Sequence, residues 1–199
     1  VSQGDPRVVV TLATYNEMEN LPELLQQIRQ VLPQAHVLVV DDNSPDGTGR
    51  WCEEEAKQQQ WLSVILRPGK LGLGTATVAA LRWAVEQGYD LAVNMDADFS
   101  HPPERLPALV SRAWDPEEPV DVVIGSRYVP EGRIEGWPWH RRWMSRAINT
   151  YARWLLGLKV RDCSGAFRCY RTSLLRRVDW EAIRSRGYSF QEEILFHLA

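Results

Sequence analysis

Two aspartates one residue apart, Asp96 and Asp98, close the apolar run Leu91-Ala92-Val93-Asn94-Met95. Carboxylates at that spacing on a strand tip can reach one hard divalent cation, Mg2+ or Mn2+. Such a cation takes oxygen ligands and keeps waters and substrate phosphates as the rest of its shell. A solvated acidic turn has the same letters, but the preceding apolar run and the following Phe99-Ser100-His101-Pro102-Pro103 favour a metal site. A second acid pair, Asp41-Asp42, follows Val37-Leu38-Val39-Val40. Helix cap and turn acid is a fair reading of Asp41. Asp42 is the better candidate for a nucleotide, because a carboxylate accepts from base N–H groups or ribose hydroxyls. Tyr15 and Glu17 follow a third apolar run, Val8–Leu12.

Cationic candidates are fewer. Arg127, after Gly125-Ser126, is either a surface arginine or the partner of a diphosphate or acceptor phosphate. Gly72-Leu73-Gly74 lacks both the Lys-Ser/Thr ending of a P-loop and the third glycine of a dinucleotide fingerprint, so it reads as a loop entering a helix, with Lys70 facing a base or phosphate. His101 and His140 stand alone, and packing or hydrogen bonding is the default for both.

The elements that must hold these residues follow from periodicity. Val8–Leu12, Val37–Val40, Ser63–Leu66, Leu91–Met95 and Val120–Ile124 predict five buried strands. Leu21, Leu24, Leu25, Ile28, Val31 and Leu32 recur at helical spacing, with Asn20 and Glu23 in the form of a cap and Pro33 as the stop. Further helices are predicted over Thr48–Gln59, over Ala76–Gln87 and from Pro102-Pro103 onward. Alternating strands and helices imply an α/β fold, a mostly parallel sheet with helices on both faces. Such sheets bind ligands at the carboxyl ends of their strands, where Tyr15, Glu17, Asp41, Asp42, Asp96 and Asp98 all fall. From Gly132 the chain turns basic and aromatic: Trp143, Ala147, Ile148, Tyr151, Trp154 and Leu155 lie near one helical face, either facing a core or lying on a membrane surface.

A chain of 199 residues with formal net charge −3 gives no global attraction to nucleic acid, so an anionic ligand needs a local basic patch. Three cysteines, an odd count without a CxxC pair, argue against a disulfide scaffold or structural zinc and fit a reducing compartment. No apolar run approaches the roughly 20 residues that span a bilayer. The chain has neither signal peptide nor initiator Met and ends inside an amphipathic pattern, Phe196–Ala199, as a piece of a longer protein would. No linker divides it. The expectation is one domain over 1–199, with a nucleotide-sugar half over 1–130 and an acceptor or membrane-proximal half over 131–199 whose C-terminal end is missing.

Taken in order, several segments together resemble the dolichyl-phosphate (polyprenyl-phosphate) mannose synthase branch of the family-2 glycosyltransferases. They are Ala13-Thr14-Tyr15-Asn16-Glu17-Met18-Glu19-Asn20, Val40-Asp41-Asp42-Asn43-Ser44-Pro45-Asp46-Gly47-Thr48, Lys70-Leu71-Gly72-Leu73-Gly74-Thr75, Met95–Pro103, Gly125-Ser126-Arg127-Tyr128, Asp162–Arg168 and Gly187–Gln191. The resemblance implies a GT-A fold, GDP-mannose as donor and a polyprenyl phosphate as acceptor, at the cytoplasmic face of a membrane. By position it implies that Ala13, Tyr15, Glu17, Val40 and Asp42 line the nucleoside pocket and that Asp96, Ala97 and Asp98 hold the diphosphate and metal. Arg127, Arg141 and Ser145 match positions that contact the transferring phosphates and sugar. Ala13 replaces the usual Pro, and Ser100 stands where relatives with Gln have a further metal ligand. Relatives also continue past this chain's end with an Arg and a Lys that close over the donor phosphates. A UDP-sugar donor and a non-catalytic nucleotide- or membrane-binding module are the alternatives. An acceptor phosphate is already anionic and needs no general base, so Glu192 and Glu193 are read as structural or acceptor-site residues.

Overall fold

The computed structural model describes residues 4–126, 150, 160, 162–185, 187 and 189–198. Six strands form one sheet: β1 (Val8–Thr14), β2 (His36–Asp41), β3 (Leu62–Leu66), β4 (Leu91–Asp96), β5 (Val122–Ile124) and β6 (Arg168–Arg171). Their order is β3-β2-β1-β4-β6-β5. The first four are parallel neighbours, as expected. β6 was not expected: it enters antiparallel between β4 and β5. Its segment, Arg168-Cys169-Tyr170-Arg171, carries arginines at both ends and so gives no apolar run. Arg168 is nevertheless fully buried, donating to the carbonyls of Gln191 and Cys163, each at 2.7 Å.

Each parallel strand presents alternate residues to opposite layers. Val8, Val10, Leu12, Val37, Val39, Val93 and Met95 pack with α1 (Leu21–Val31) and α4 (Leu106–Ala113). Val9, Leu38, Val40 and Ala92 pack with α3 (Leu73–Glu86) and α6 (Phe190–Leu198). Covering both faces explains why these strands are continuous apolar runs. Helix α2 (Thr48–Gln58) contributes Cys52 to the first layer, and a short α5 (Thr172–Leu175) contributes Leu175 to the second.

In α1, Leu21, Leu24, Leu25 and Ile28 are buried at helical spacing, and Pro22 sits in the first turn, where no amide partner is lost. Asn20 is not the side-chain cap that the sequence implies. It is already helical (φ −100°, ψ −39°), and its amide Nδ2 donates to Glu17 Oε2 at 3.0 Å, while the turn opens from the Glu17 carbonyl. Helix α3 begins at Leu73, three residues before the expected Ala76, because Gly72 (φ 101°) turns the chain into it. The prolines start a 3-10 turn, Pro103–Arg105, that runs into α4. All three cysteines are buried, and burial pushes the Cys52 and Cys169 thiols up to about 12. No helix among the described residues is long and apolar enough to cross a membrane.

Candidate active site

Register brings three strand tips into line. Ala13 of β1 pairs with Val40 of β2 on one side and with Asp96 of β4 on the other. Strand neighbours lie about 4.8 Å apart, so one backbone row joins two residues expected at a nucleoside to one expected at a metal. Alternation then assigns sides. Val40 packs in the α3 layer, and Ala13 packs against it; Asp41, one residue on, turns toward α2 and touches the position of Gly49.

Asp41 is accordingly part of the scaffold. It is 1% exposed and accepts from Thr14 Oγ1 (2.8 Å), Ser44 N (2.9 Å) and Ser44 Oγ (2.5 Å). A Cβ on Gly49 would stand 2.5 Å from Asp41 Oδ1, so only glycine lets α2 approach so closely. This is the turn role expected of Asp41, without the helix cap, since α2 opens after Gly47 with no side-chain cap bond.

Asp42 takes the α3 side and is also buried. Its Oδ1 pairs with the guanidinium of Arg67, and its Oδ2 accepts from the amides of Leu71 (2.9 Å) and Gly72 (3.1 Å). Arg67 also donates to Thr75 Oγ1 (2.8 Å) and the Gly72 carbonyl (3.2 Å). Asp42 thereby fastens the 67–72 loop over the tips of β1 and β2. That loop sets the ammonium of Lys70 on the face of Tyr15, 3.9 Å from the ring centroid. Arg67 was not singled out in the sequence. Its only signal there is its place one residue past the β3 tip.

Glu17 sits at the start of α2, where its amide donates to Thr48 Oγ1 at 3.1 Å. Asp46 joins the same corner, accepting from the Thr48 amide (2.9 Å), Thr48 Oγ1 (2.6 Å) and the Met18 amide (3.1 Å). Burial alone would raise the Asp46 carboxyl, but these bonds outweigh it and hold it below its ordinary value.

At the β4 tip the acids are more open. Asp96 keeps 29% of its side chain exposed, and Asp98 is exposed with Oδ1 accepting from the Ser100 amide at 3.0 Å. Partial burial raises Asp98, and hydrogen bonds from Ser100 more than offset it, leaving the carboxyl below its ordinary value. Ala97 between them is buried in the α1/α4 layer. Among the described residues no group of three or more His, Cys, Asp and Glu side chains is gathered for a metal. Two carboxylates suit a hard cation that fills its shell with waters and phosphate oxygens and do not suit zinc or another soft metal.

Backbone strain marks the same edge. Among the described residues, the non-glycine residues with positive φ, Asn16 (61°), Asn43 (57°) and Phe99 (59°), each follow a strand tip: β1, β2 and β4. Left-handed backbone is tolerated by Asn but costs a residue such as Phe about 1–2 kcal/mol. Strain of this kind gathers where a loop geometry is imposed by function. A cavity of about 510 Å³ lies elsewhere, between α1 and α2, lined by residues including Trp51, Trp61, Leu25 and Arg29. It contains no paired carboxylates and shares no residue with the strand tips.

Arg127, Arg141, Ser145 and His140, with the Trp143–Leu155 helical face, lie outside the described residues apart from Thr150 within that stretch. The approach to Arg127 is described: Gly125 donates its amide to the Phe167 carbonyl (2.8 Å), and a Cβ on Gly125 would stand 2.5 Å from the Phe167 ring.

The sequence matches glycosyl transferase family 2 over residues 9–179. The chain belongs to that family. It is 45% identical over 193 residues to the undecaprenyl-phosphate mannosyltransferase of Micrococcus luteus, covering 97% of this chain and 78% of that protein. To the polyprenol monophosphomannose synthase of Mycolicibacterium smegmatis it is 43% identical over 189 residues, covering 94% and 70%. The resemblance read from the motifs is thus borne out. Among solved structures, glucosyl-3-phosphoglycerate synthase of Mycobacterium tuberculosis with Mn2+, UDP-glucose and phosphoglyceric acid superposes with TM-score 0.69 at 18% identity, covering 96% of this chain and 64% of that one. A mannosyltransferase of Pyrobaculum calidifontis with GDP-mannose and Mn2+ superposes with TM-score 0.58 at 24% identity, covering 87% and 47%. The chain therefore spans about half to two thirds of those solved chains. It has the GT-A fold expected from its motifs, and it is a glycosyltransferase by family.

Proposed function

We propose that this chain is the catalytic part of an enzyme that transfers mannose from GDP-mannose to a polyprenyl phosphate, with inversion at the sugar's anomeric carbon. The observation that carries the reading is the row Val40–Ala13–Asp96, which joins the nucleoside side of the strand edge to the acid pair, in a chain 43% to 45% identical to two polyprenyl-phosphate mannosyltransferases.

Tyr15, on the β1 tip, offers a ring face to the base, and Lys70 lies over that face. A base that stacks there displaces Lys70 or is sandwiched by it. Ala13, Glu17 and Val40 line the same side, and Asp42 holds the loop that covers it. Asp96 and Asp98, with Ala97 between them, would hold Mg2+ or Mn2+, which would supply charge neutralisation for the leaving GDP. Arg127, Arg141 and Ser145 contact the phosphates and sugar and orient the acceptor phosphate in line with the anomeric carbon. An acceptor phosphate oxygen forms the new bond to that carbon as the bond to the GDP oxygen breaks. The nucleophile is an anion, so no side chain has to remove a proton. The lipid acceptor brings the reaction to a membrane surface, on the cytoplasmic side where nucleotide sugars are found.

Calorimetric titration with GDP and with UDP, each with Mn2+, tests the donor. GDP binding at least about tenfold tighter than UDP, equivalent to about 1.4 kcal/mol, is the expected result. UDP binding the tighter of the two overturns the GDP-mannose assignment. Binding of neither overturns the nucleotide-sugar reading.

A further inference from the structure

His101 is 6% exposed, and its ring lies flat on Phe167, with centroids 5.1 Å apart and planes 10° from parallel. Its Nδ1 accepts from the backbone amide of Asp96 at 2.9 Å, so that nitrogen carries no proton and Nε2 does. Nε2 stands 3.7 Å from Asp96 Oδ2, beyond hydrogen-bond distance. The imidazole therefore holds the backbone of Asp96 and lies beside its carboxylate. The loop between them must fold back sharply to allow it, through Phe99 at φ 59°. The ring is itself held from behind. Phe167 is 3% exposed and wedged against Gly125, while the neighbouring Ala166 carbonyl accepts from Asn94 Nδ2 at 2.9 Å.

A buried imidazole stacked for packing alone needs no ring nitrogen bonded to the backbone of an acid at the strand tip. We propose that His101 is a positioning residue for Asp96, fixing that carboxylate for the divalent cation. Phe167 and Gly125 extend the support to the tip of β5. The proposal rests on the metal-dependent transferase reading above. Residues that orient a metal ligand through a hydrogen bond usually change metal affinity by roughly 10- to 100-fold when removed.

The test is a Mn2+ titration of the 199-residue chain with GDP present, reading free Mn2+ by electron paramagnetic resonance, alongside thermal unfolding without metal. His101→Phe keeps the stacked ring and removes both nitrogens. His101→Asn puts a carbonyl acceptor near the place of Nδ1. The expected result is Mn2+ affinity roughly 10- to 100-fold weaker in H101F and within about threefold of wild type in H101N, with no matching order in the unfolding midpoints. Should H101F fail to fold, His101→Gln, whose amide reaches toward the place of Nε2, takes its part and is expected weaker than H101N. Asp98→Ala separates the two possible failures. If D98A loses Mn2+ while H101F keeps it, the positioning role is overturned and the metal site stands. If D98A binds Mn2+ like wild type, the metal reading falls and His101 with it. Unfolding midpoints lowered alike in H101F and H101N, at unchanged affinity, assign His101 to packing and overturn the proposal.

Discussion

The tips of β2 and β4 each carry two carboxylates, built in opposite ways. Asp41 and Asp42 are 1% and 5% exposed, and each accepts several hydrogen bonds from the chain's own loops. Asp98 is exposed, with hydrogen bonds from Ser100 in its own turn, and Asp96 is partly open. A carboxylate that folds with its acceptor positions filled contributes to stability and has little left for a ligand. A carboxylate that folds half-solvated contributes little to stability and can exchange its waters for a cation or phosphate-bound metal. Two acid pairs on neighbouring parts of one edge thus divide the work: β2 fastens the loops, and β4 is left open.

If that division is right, the largest loss of stability comes from the β2 side. Arg67→Met removes the guanidinium beside Asp42, two side chains that are 8% and 6% exposed as a pair. Stranding one charge of a buried pair costs about 3–5 kcal/mol, and the bonds to Thr75 and Gly72 go with it. Denaturant unfolding of R67M is expected to fall in that range. Adding Asp42→Asn to R67M is expected to recover part of it, since the amide side chain no longer strands a charge. A loss below about 1 kcal/mol, the range of an exposed ion pair, would erase the contrast between the two tips.

The next effect is smaller and depends on pH. Asp46 is exposed, but it ties Met18 of the β1 loop to Thr48 at the start of α2. Its folded carboxyl titrates below the ordinary value because its hydrogen bonds outweigh the effect of burial. A depressed acid contributes stability above the unfolded pKa and loses it as pH falls through the folded one. Asp46→Asn keeps an acceptor oxygen but no charge. At pH 7 it is expected to cost about 1 kcal/mol or less, in the range of a helix-cap substitution. That deficit closes as the pH is lowered past the ordinary aspartate range, and unfolding midpoints measured from pH 7 to pH 3 follow it. A deficit that stays constant over that range would mean the charge contributes nothing.

Much of this was legible before the fold. β1 to β4 and their helices follow from uninterrupted apolar runs and helical periodicity, because strands covered on both sides have no polar face to disguise them. Asp41 as a turn acid was legible too, whereas the bonds that Asp42 makes to Arg67, Leu71 and Gly72 were not, because only the fold sets those partners against it. What escaped were features made by tertiary contact. β6 is held by the burial of Arg168, whose guanidinium meets backbone carbonyls from distant segments, and local propensity reads two flanking arginines as a surface. The capping role given to Asn20 failed because Glu17 opens the turn first and takes its amide. Arg67 stayed hidden for the same reason, a lone polar residue until the fold sets it against Asp42; His101, read as packing or hydrogen bonding, does both, but only the fold names Asp96 as its partner.

The smallest expected effect on stability belongs to Asp98→Asn, and it is the sharpest test of the contrast. The substitution keeps an oxygen that can accept from the Ser100 amide, removes one charge from an exposed turn and changes no packing. The Ser100 bonds favour the charged carboxylate, so its loss in D98N is expected to cost a little, within about 0.5 kcal/mol and far less than R67M. Its Mn2+ affinity in the presence of GDP is expected to collapse, because an amide oxygen carries no charge to hold the cation. A variant nearly as stable as the parent yet unable to bind metal is what an open tip predicts. A D98N chain destabilised like R67M would mean that β4 is sealed in the same way as β2, and the edge would then have no acid pair left over for a ligand.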